Sequence, residues 1–169
     1  VEFISCKSGV LVTLLYHKKL DSEFEATMKK IASKLDVTIL ARSRGQKLLS
    51  DELNLTDELN IGGQIYKFSL SENAFIQPNR AVNEKMIAWA KECVQSSDDL
   101  LELYCGHGNF TIPLSFKFKN VLATEISKSS IANALKNCEL NKAKNIKFLR
   151  MDADELMSAF AGVREFNRL

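Results

Sequence analysis

The segment that most limits how this chain can fold is residues 100–110, where an apolar strand pattern runs directly into a Gly-x-Gly turn and then a helix pattern. Glycine adopts backbone conformations that other residues avoid, and it removes side chains where a ligand must touch the main chain. The first N–H groups of a following helix add hydrogen-bond donors. Gly106 and Gly108 therefore indicate either a ligand-binding turn or an ordinary tight connection.

The sequence around this turn alternates between buried strands and amphipathic helices. Strands are predicted over 99–104, 120–126 and 145–150. Helices are predicted after Gly108, over 129–140 and from Asp154. An earlier helix has an apolar face made of Val82, Met86, Trp89, Ala90 and Cys93. This rhythm is typical of a parallel sheet, so we predict the α/β class, with a doubly wound sheet beginning in residues 73–169.

Residues 1–72 lack that rhythm and are predicted to be an α+β region. Strands are predicted over 9–16 and 37–41, and two adjacent glycines at 62–63 predict a hairpin turn. Between the strands, Asp21 is a plausible N-cap. The helix that follows has an apolar stripe formed by Phe24, Met28, Ile31 and Leu35.

Composition excludes several classes of protein. The 23 basic and 21 acidic residues give a net charge of +2, so charge alone does not indicate a nucleic-acid partner. The 4 cysteines form no C-x-x-C pair, which argues against a metal site and for reduced thiols. No apolar run approaches the roughly 20 residues that span a bilayer. We therefore expect a cytoplasmic protein without metal or membrane attachment.

A second strand, ending at Glu125, strengthens the case for a nucleoside ligand. Its carboxylate lies where a βαβ unit binds ribose hydroxyls, although a solvated acid at a strand end would look the same. Dinucleotide binding needs a third glycine where this chain has Thr111. A cofactor without a pyrophosphate, such as S-adenosylmethionine, is favoured instead. Asp152 could reach an adenine amino group or could be a surface acid at a helix start.

Residues 71–79 form a polar, amide-rich segment before the first helix of the α/β region. The segment could be a linker in which Asn73 or Asn79 caps the helix. Gln77, next to Pro78, could instead bind a cofactor or base, because an amide both donates and accepts hydrogen bonds.

Four segments together resemble the RNA uracil-5-methyltransferase family: residues 75–79, 100–110, 122–126 and 162–169. The last of these is most similar to the tRNA branch, which makes ribothymidine in the T-loop. The resemblance implies a Rossmann-like class I methyltransferase domain, truncated, in residues 73–169 and part of an RNA-binding region in residues 1–72. It also implies S-adenosylmethionine-dependent methylation of carbon 5 of uridine, with tRNA as the partner.

The resemblance assigns the cofactor contacts to Gln77, Tyr104, Asn109 and Glu125, around the turn glycines Gly106 and Gly108. Tyr104 would pack on the cofactor, although it could also be simply the last buried residue of its strand. Asn109 would hydrogen-bond the cofactor from the first turn of the helix.

In this family a cysteine thiolate attacks carbon 6 of uracil, and a carboxylate later removes the carbon-5 proton. The family's Ser-Cys-Asn-Pro and Asp-Pro-Pro segments do not occur in this chain. We therefore expect no catalytic residue here, with the nucleophile and base beyond Leu169, and a fragment that does not turn over alone.

Two other functions remain open. The rRNA uracil-5-methyltransferase branch shares the chemistry. A non-catalytic RNA-binding module is also possible, since residues 42–47 form a compact basic cluster that could contact phosphates, although a solvated loop would have the same composition. The sequence does not indicate an oligomeric state.

Overall fold

The computed structural model describes residues 1–72, 75–94 and 98–152, together with residues 155 and 158. The chain divides into two compact units. Unit 1 contains residues 1–58 and 69–71, and unit 2 contains residues 59–68 and those from Glu72 onward. The tip of the predicted hairpin therefore groups with the α/β part of the chain.

Unit 1 is a four-stranded mixed sheet with one helix. Its elements are β1 (Glu2–Cys6), β2 (Gly9–Leu15), α1 (Ser22–Leu35), β3 (Thr38–Ser43) and β4 (Gln46–Leu49). The strand order is β1-β2-β3-β4, and only the β2–β3 pair is parallel. A parallel pair needs a crossover connection, which α1 provides. The sequence prediction found β2, α1 and β3 but missed β4.

Helix α1 begins as predicted and buries a narrower face than predicted. The Asp21 carboxylate accepts a hydrogen bond from the Phe24 N–H at 2.9 Å. Met28 and Ala32 are the buried residues of the helix, whereas Ile31 and Leu35 are 45% and 62% exposed. The expected four-residue apolar stripe is therefore wrong at its C-terminal end, where Ala32 is buried in the core of unit 1 instead of Ile31 and Leu35.

A hairpin of β5 (Thr56–Ile61) and β6 (Gln64–Ser69) follows, and it turns at Gly62 and Gly63 as predicted. Both glycines have positive φ angles, of 61° and 86°. Asn141, from a later helix, is hydrogen-bonded to both backbone groups of Lys67: its Oδ1 accepts from the N–H at 2.8 Å and its Nδ2 donates to the C=O at 2.6 Å.

Unit 2 otherwise follows the predicted alternation of helices and strands. Its elements are α2 (Arg80–Cys93), β7 (Asp99–Glu102), α3 (Thr111–Ser115), β8 (Asn120–Thr124), α4 (Lys128–Asn141) and β9 (Ile146–Leu149). The three strands are parallel in the order β7-β8-β9. One core cluster joins the hairpin, α2, α3 and α4: Leu59, Ile61, Tyr66, Phe68, Ile87, Ile112, Cys138 and Ala143.

The predicted apolar face of α2 is wrong. Val82, Met86 and Trp89 are 48%, 37% and 68% exposed, whereas Asn83 and Ile87 are the buried residues. The apolar pattern therefore marks the outer side of α2, and the side that packs inward includes a polar residue. Asn79 caps this helix as one alternative expected, accepting from the Val82 N–H at 3.1 Å.

Several predictions fall at the margin of what the structure describes. Asn73, the final segment 162–169 and most of the helix expected from Asp154 lie outside the described residues. Within the described part of the chain, no helix is long and apolar enough to cross a membrane.

Candidate functional site

The Gly-x-Gly segment forms a turn at the carboxyl end of β7, and we call residues 104–109 the glycine turn. The strand ends at Glu102, and Tyr104 already has a left-handed φ of 57°. This conformation is unfavourable for a residue with a side chain and is common at functional sites. The Tyr104 side chain is 71% exposed, so the alternative that it is the buried end of its strand is wrong.

The two glycines are required for different reasons. Gly106 has a φ of 58° and open space around it, so only its conformation demands glycine. Gly108 has a φ of 88°, and a Cβ atom there would lie 3.1 Å from the Ile112 side chain. Gly108 thus allows α3 to follow the turn at close range.

Side chains from neighbouring elements hold the glycine turn in place. Glu125, directly after β8, accepts hydrogen bonds from the Gly106 N–H at 3.0 Å and from the Ser127 N–H at 2.8 Å. Buried Asn137, on α4, donates to the His107 carbonyl at 3.0 Å. Glu125 therefore has a structural role, and each of its oxygens keeps lone pairs for a diol.

Asn109 is paired with a side chain from α2. Its amide and that of Asn83 exchange two hydrogen bonds, each of 2.9 Å. Asn83 is only 4% exposed, whereas Asn109 is partly exposed and borders open space.

A cavity of about 190 Å³ lies against the glycine turn. Its lining comprises Phe75, Gln77, Glu102, Tyr104, Cys105, Gly106, His107, Asn109 and Phe110. Whole small-molecule sites usually occupy about 300–1,000 Å³, so this cavity would hold part of a cofactor.

Two larger clefts lie elsewhere. One, of about 320 Å³, is in unit 1. The other, of about 630 Å³, is at the amino ends of β7, β8 and β9. Ligands of open α/β sheets bind at the carboxyl ends of the strands, so we take the smaller cavity as the candidate site.

Glu102 brings an unsatisfied acidic group to this cavity. Burial raises its pKa to about 7, and nearby Thr111 partly offsets the effect. Glu102 Oε2 and Thr111 Oγ1 are both buried without a hydrogen-bond partner in the described ranges, so the two groups are close but not well bonded. A buried carboxylate oxygen without a donor is suited to a cationic or N–H-bearing ligand group.

Two other groups that line the cavity, Cys105 and His107, have pKa values shifted by burial toward their neutral forms. Burial, with the nearby Glu102 and Glu125 carboxylates, raises the pKa of Cys105 to about 12. Burial also lowers the pKa of His107, whose ring meets Phe68 edge-on with centroids 5.7 Å apart. Neither side chain carries charge at neutral pH, so Glu102 and Glu125 are the acidic groups that a ligand would meet at the turn.

The structure gathers most of the predicted cofactor residues at one edge of the sheet. Gln77, Tyr104, Gly106 and Asn109 line the cavity. Glu125 contacts the turn through Gly106, and Gly108 packs behind it against Ile112.

Asp152 has a local partner, since its Oδ1 accepts from the Glu155 N–H at 2.7 Å. This contact supports the helix-start alternative over the adenine contact.

Sequence reasoning missed Asn83, Glu102 and His107. Glu102 carries a readable signal, because it is an acid inside the apolar run Leu100–Tyr104. Asn83 carries none, since its role depends on a contact with a residue 26 positions away. Across the described ranges, no group of three or more His, Cys, Asp or Glu side chains could hold a metal ion.

Comparisons with known proteins match this chain over its whole length to one family. Residues 1–169 match the profile of the tRNA (Uracil-5-)-methyltransferase family. The chain is 90% identical over 169 residues to a tRNA/tmRNA (uracil-C(5))-methyltransferase of Campylobacter concisus (strain 13826), covering all of this chain and 46% of that protein. It is 62% identical to the corresponding protein of Campylobacter curvus (strain 525.92), with the same coverage.

Solved structures share the fold at low sequence identity. The crystal structure of a Pyrococcus abyssi tRNA (uracil-54, C5)-methyltransferase with S-adenosyl-L-homocysteine matches with a TM-score of 0.68 and 17% identity, over 87% of this chain and 37% of that chain. Trm5b from Pyrococcus abyssi matches with a TM-score of 0.56 and 16% identity, over 91% and 48% of the two chains. Both likenesses concern the fold alone. The chain spans about half the length of the curated relatives that it matches, and it belongs to the tRNA (uracil-5-)-methyltransferase family.

Proposed function

We propose that this chain is the cofactor-binding part of an S-adenosylmethionine-dependent enzyme that methylates carbon 5 of uridine in the T-loop of tRNA. The observation that carries the proposal is the glycine turn, where three of the four predicted contact residues and the turn glycine Gly106 border one cavity at the carboxyl ends of parallel strands. The Pyrococcus abyssi relative was crystallised with the demethylated form of this cofactor, which supports the same ligand here.

The residues at the turn fit S-adenosylmethionine chemically. Its ribose is a diol, and Glu125 offers two acceptor oxygens beside Gly106. Its methionine part carries an ammonium group, which suits the unpartnered oxygen of Glu102. Tyr104 presents an exposed ring for packing, and the Gln77 and Asn109 amides supply donors and acceptors. When bound, the cofactor would supply an electrophilic methyl group to carbon 5 of the base.

The cysteines in this chain do not suit the role of nucleophile. Cys105 and Cys138 are buried, and their pKa values are raised to about 12 and 11, so both stay protonated near neutral pH. Cys6 is buried in unit 1, and exposed Cys93 is the last residue of α2, away from the cavity lining. The proposal therefore takes the thiolate and the base from the rest of the full-length protein.

A basic surface in unit 1 supports RNA binding. The loop between β2 and α1 is tied to the β3–β4 hairpin, because Ser43 Oγ donates to the Lys18 carbonyl at 2.5 Å and Gln46 Oε1 accepts from the Leu20 N–H at 2.9 Å. These contacts bring two short basic segments together. The cations of the resulting basic surface are Lys18, Lys19, Arg42, Arg44 and Lys47. Clustered cations on one face bind phosphates. The proposed cellular compartment is the cytoplasm, where four free cysteines are the normal state.

The test uses the full-length protein, purified S-adenosylmethionine carrying a labelled methyl group, and unmodified tRNA transcript. We expect label in tRNA and none in a transcript whose T-loop target uridine is replaced by cytidine. Equal labelling of both transcripts would contradict carbon-5 uridine methylation at that position.

Two alternatives give different results in the same assay. Preferential labelling of an rRNA fragment would favour the rRNA branch. RNA binding without measurable cofactor binding would favour the non-catalytic RNA-binding module, for which the basic surface of unit 1 is the supporting observation.

A further inference from the structure

The amide pair between α2 and the glycine turn is reciprocal. Asn83 Nδ2 donates to Asn109 Oδ1, and Asn109 Nδ2 donates to Asn83 Oδ1, each at 2.9 Å. The two side chains therefore form a closed ring of two hydrogen bonds. Asn83 is buried at 4% exposure, and Asn109 lines the cavity.

This arrangement constrains the Asn109 amide strongly. Rotating either amide alone by 180° would bring oxygen to oxygen and nitrogen to nitrogen, and both hydrogen bonds would be lost. Rotating both together preserves the ring. In each permitted state, Asn109 keeps one N–H and one carbonyl lone pair that are not used by Asn83. Its plane is fixed before any ligand arrives.

Packing alone does not explain an asparagine at position 83. The other buried residue of α2, Ile87, belongs to the apolar core of unit 2. Asparagine is a poor helix former, and burying an amide is unfavourable unless it is paired. An apolar residue would serve stability better, and departures from such local rules concentrate at functional sites.

We infer that Asn83 is a positioning residue for the cofactor site: it fixes the plane of the Asn109 amide, which keeps one donor and one acceptor for the ligand. Helix α2 is thereby part of the site although Asn83 does not line the cavity. The inference rests on the proposed function, since it takes the ligand of Asn109 to be S-adenosylmethionine. A binding group that is already held in place lowers the entropic cost of binding the ligand.

The experiment measures S-adenosylmethionine affinity by calorimetry, and thermal stability separately, in the full-length protein. The variants are Asn83→Leu, which keeps the number and branching of the side-chain heavy atoms but removes the pairing, Asn109→Ala and the double variant. We expect Asn83→Leu to weaken binding about fivefold and Asn109→Ala about tenfold. The double variant should bind within twofold of Asn109→Ala, because Asn83 acts only through Asn109.

Ile87→Val is the matched control. It changes the other buried residue of α2, so it should lower the melting temperature without changing cofactor affinity. Unchanged affinity in Asn83→Leu, or a double variant showing the full product of the two single losses, would overturn the positioning role. A wild-type protein that does not bind S-adenosylmethionine would overturn the proposed function and this inference with it, whereas wild-type binding alongside an unaffected Asn83→Leu would overturn this inference alone.

Discussion

The chain contains two turns built on glycine pairs with nearly the same φ angles and different surroundings. Gly62 and Gly63 of the hairpin have φ angles of 61° and 86°, and Gly106 and Gly108 of the glycine turn have 58° and 88°. The hairpin glycines are exposed, and a side-chain contact from the Gly63 N–H to Asn60 Oδ1, at 3.0 Å, supports their turn. The glycine turn is hydrogen-bonded to residues of α2, α4 and the end of β8: it accepts from Asn83 and Asn137, and its Gly106 N–H donates to Glu125.

The comparison shows that glycine conformation alone does not make a ligand site. Both glycine pairs change the direction of the chain, and both do so with φ angles in the left-handed region. The glycine turn differs because neighbouring side chains fix its groups and leave acceptors facing a cavity. A connector needs only its own conformational freedom, whereas a binding turn needs a rigid frame.

The largest expected effect comes from replacing one matched glycine in each turn with alanine. Gly63→Ala meets open space, so it should cost only the left-handed strain of about 1–2 kcal/mol. Gly108→Ala adds crowding against Ile112 at 3.1 Å and should cost about 2–5 kcal/mol in total. We expect Gly108→Ala to abolish measurable S-adenosylmethionine binding while Gly63→Ala leaves it intact. If denaturant unfolding showed that both variants lose the same free energy of unfolding, the distinction between the turns would be wrong.

The next largest effect is expected from variants that remove the side chain hydrogen-bonded to each turn, Glu125 for the glycine turn and Asn60 for the hairpin. Glu125→Ala should weaken S-adenosylmethionine binding about tenfold to a hundredfold, since a hydrogen bond to a charged group contributes about 1.5–3 kcal/mol. It should also lower stability, because Glu125 holds the Gly106 and Ser127 N–H groups. Asn60→Ala, the hairpin counterpart, should cost about 1 kcal/mol of stability and no affinity. Calorimetry showing full affinity in Glu125→Ala would exclude its contact with the cofactor.

A pH-dependent effect should follow from Glu102, which lies beside the glycine turn. Its pKa in the fold is raised to about 7 from an ordinary value of 4.5, so folding favours the protonated form. The stabilisation is complete below pH 4.5 and is lost as pH rises through 7. Glu102→Gln, which stays neutral, should therefore be more stable than wild type at pH 8 by on the order of 2 kcal/mol, and nearly equal at pH 5.

Thermal melts of the two proteins between pH 5 and pH 8 would measure how the stability difference grows with pH. A constant difference between them at all pH values would show that Glu102 is not titrating in the fold. In the full-length protein, Glu102→Gln should also lose cofactor affinity above pH 7, where the wild-type carboxylate is ionised.

The smallest expected effect concerns Cys105, which is in the glycine turn and has no counterpart in the hairpin turn. Because burial keeps it a thiol, Cys105→Ala should leave the ability of the full-length protein to form a heat-stable adduct with 5-fluorouridine-containing tRNA unchanged within about threefold. The 169-residue chain should form no adduct. A gel-shifted adduct with this chain that disappears in Cys105→Ala would give the glycine turn a covalent role.

How much of the fold was predictable depended on whether the signal was local. The N-caps Asp21 and Asn79 and the hairpin glycines were found because each is determined by residues next to it. The buried face of α2 was predicted wrongly because apolar spacing reports the apolar side of a helix, while burial depends on what the helix meets. Here it meets a polar partner, Asn109, through Asn83.

In the candidate site, too, locally determined features were predicted and features that depend on distant contacts were not. Gln77, Tyr104, Gly106 and Asn109 were predicted and border one cavity. The structural use of Glu125 was not predicted, since its bond to the glycine turn joins residues that are 19 positions apart. Glu102 was passed over although an acid in an apolar strand is visible in the sequence. Its raised pKa results from burial, which no spacing rule gives.

The contact between Asn141 and Lys67 has a consequence for how this chain avoids unwanted association. Strand β6 is one edge of a two-stranded sheet, and free backbone groups on such an edge can recruit a strand from another molecule. The Asn141 amide binds both the N–H and the C=O of Lys67, as a neighbouring peptide group would. One position of the edge is thus already occupied from within the chain, and an incoming strand could not pair there in register without displacing a helix side chain.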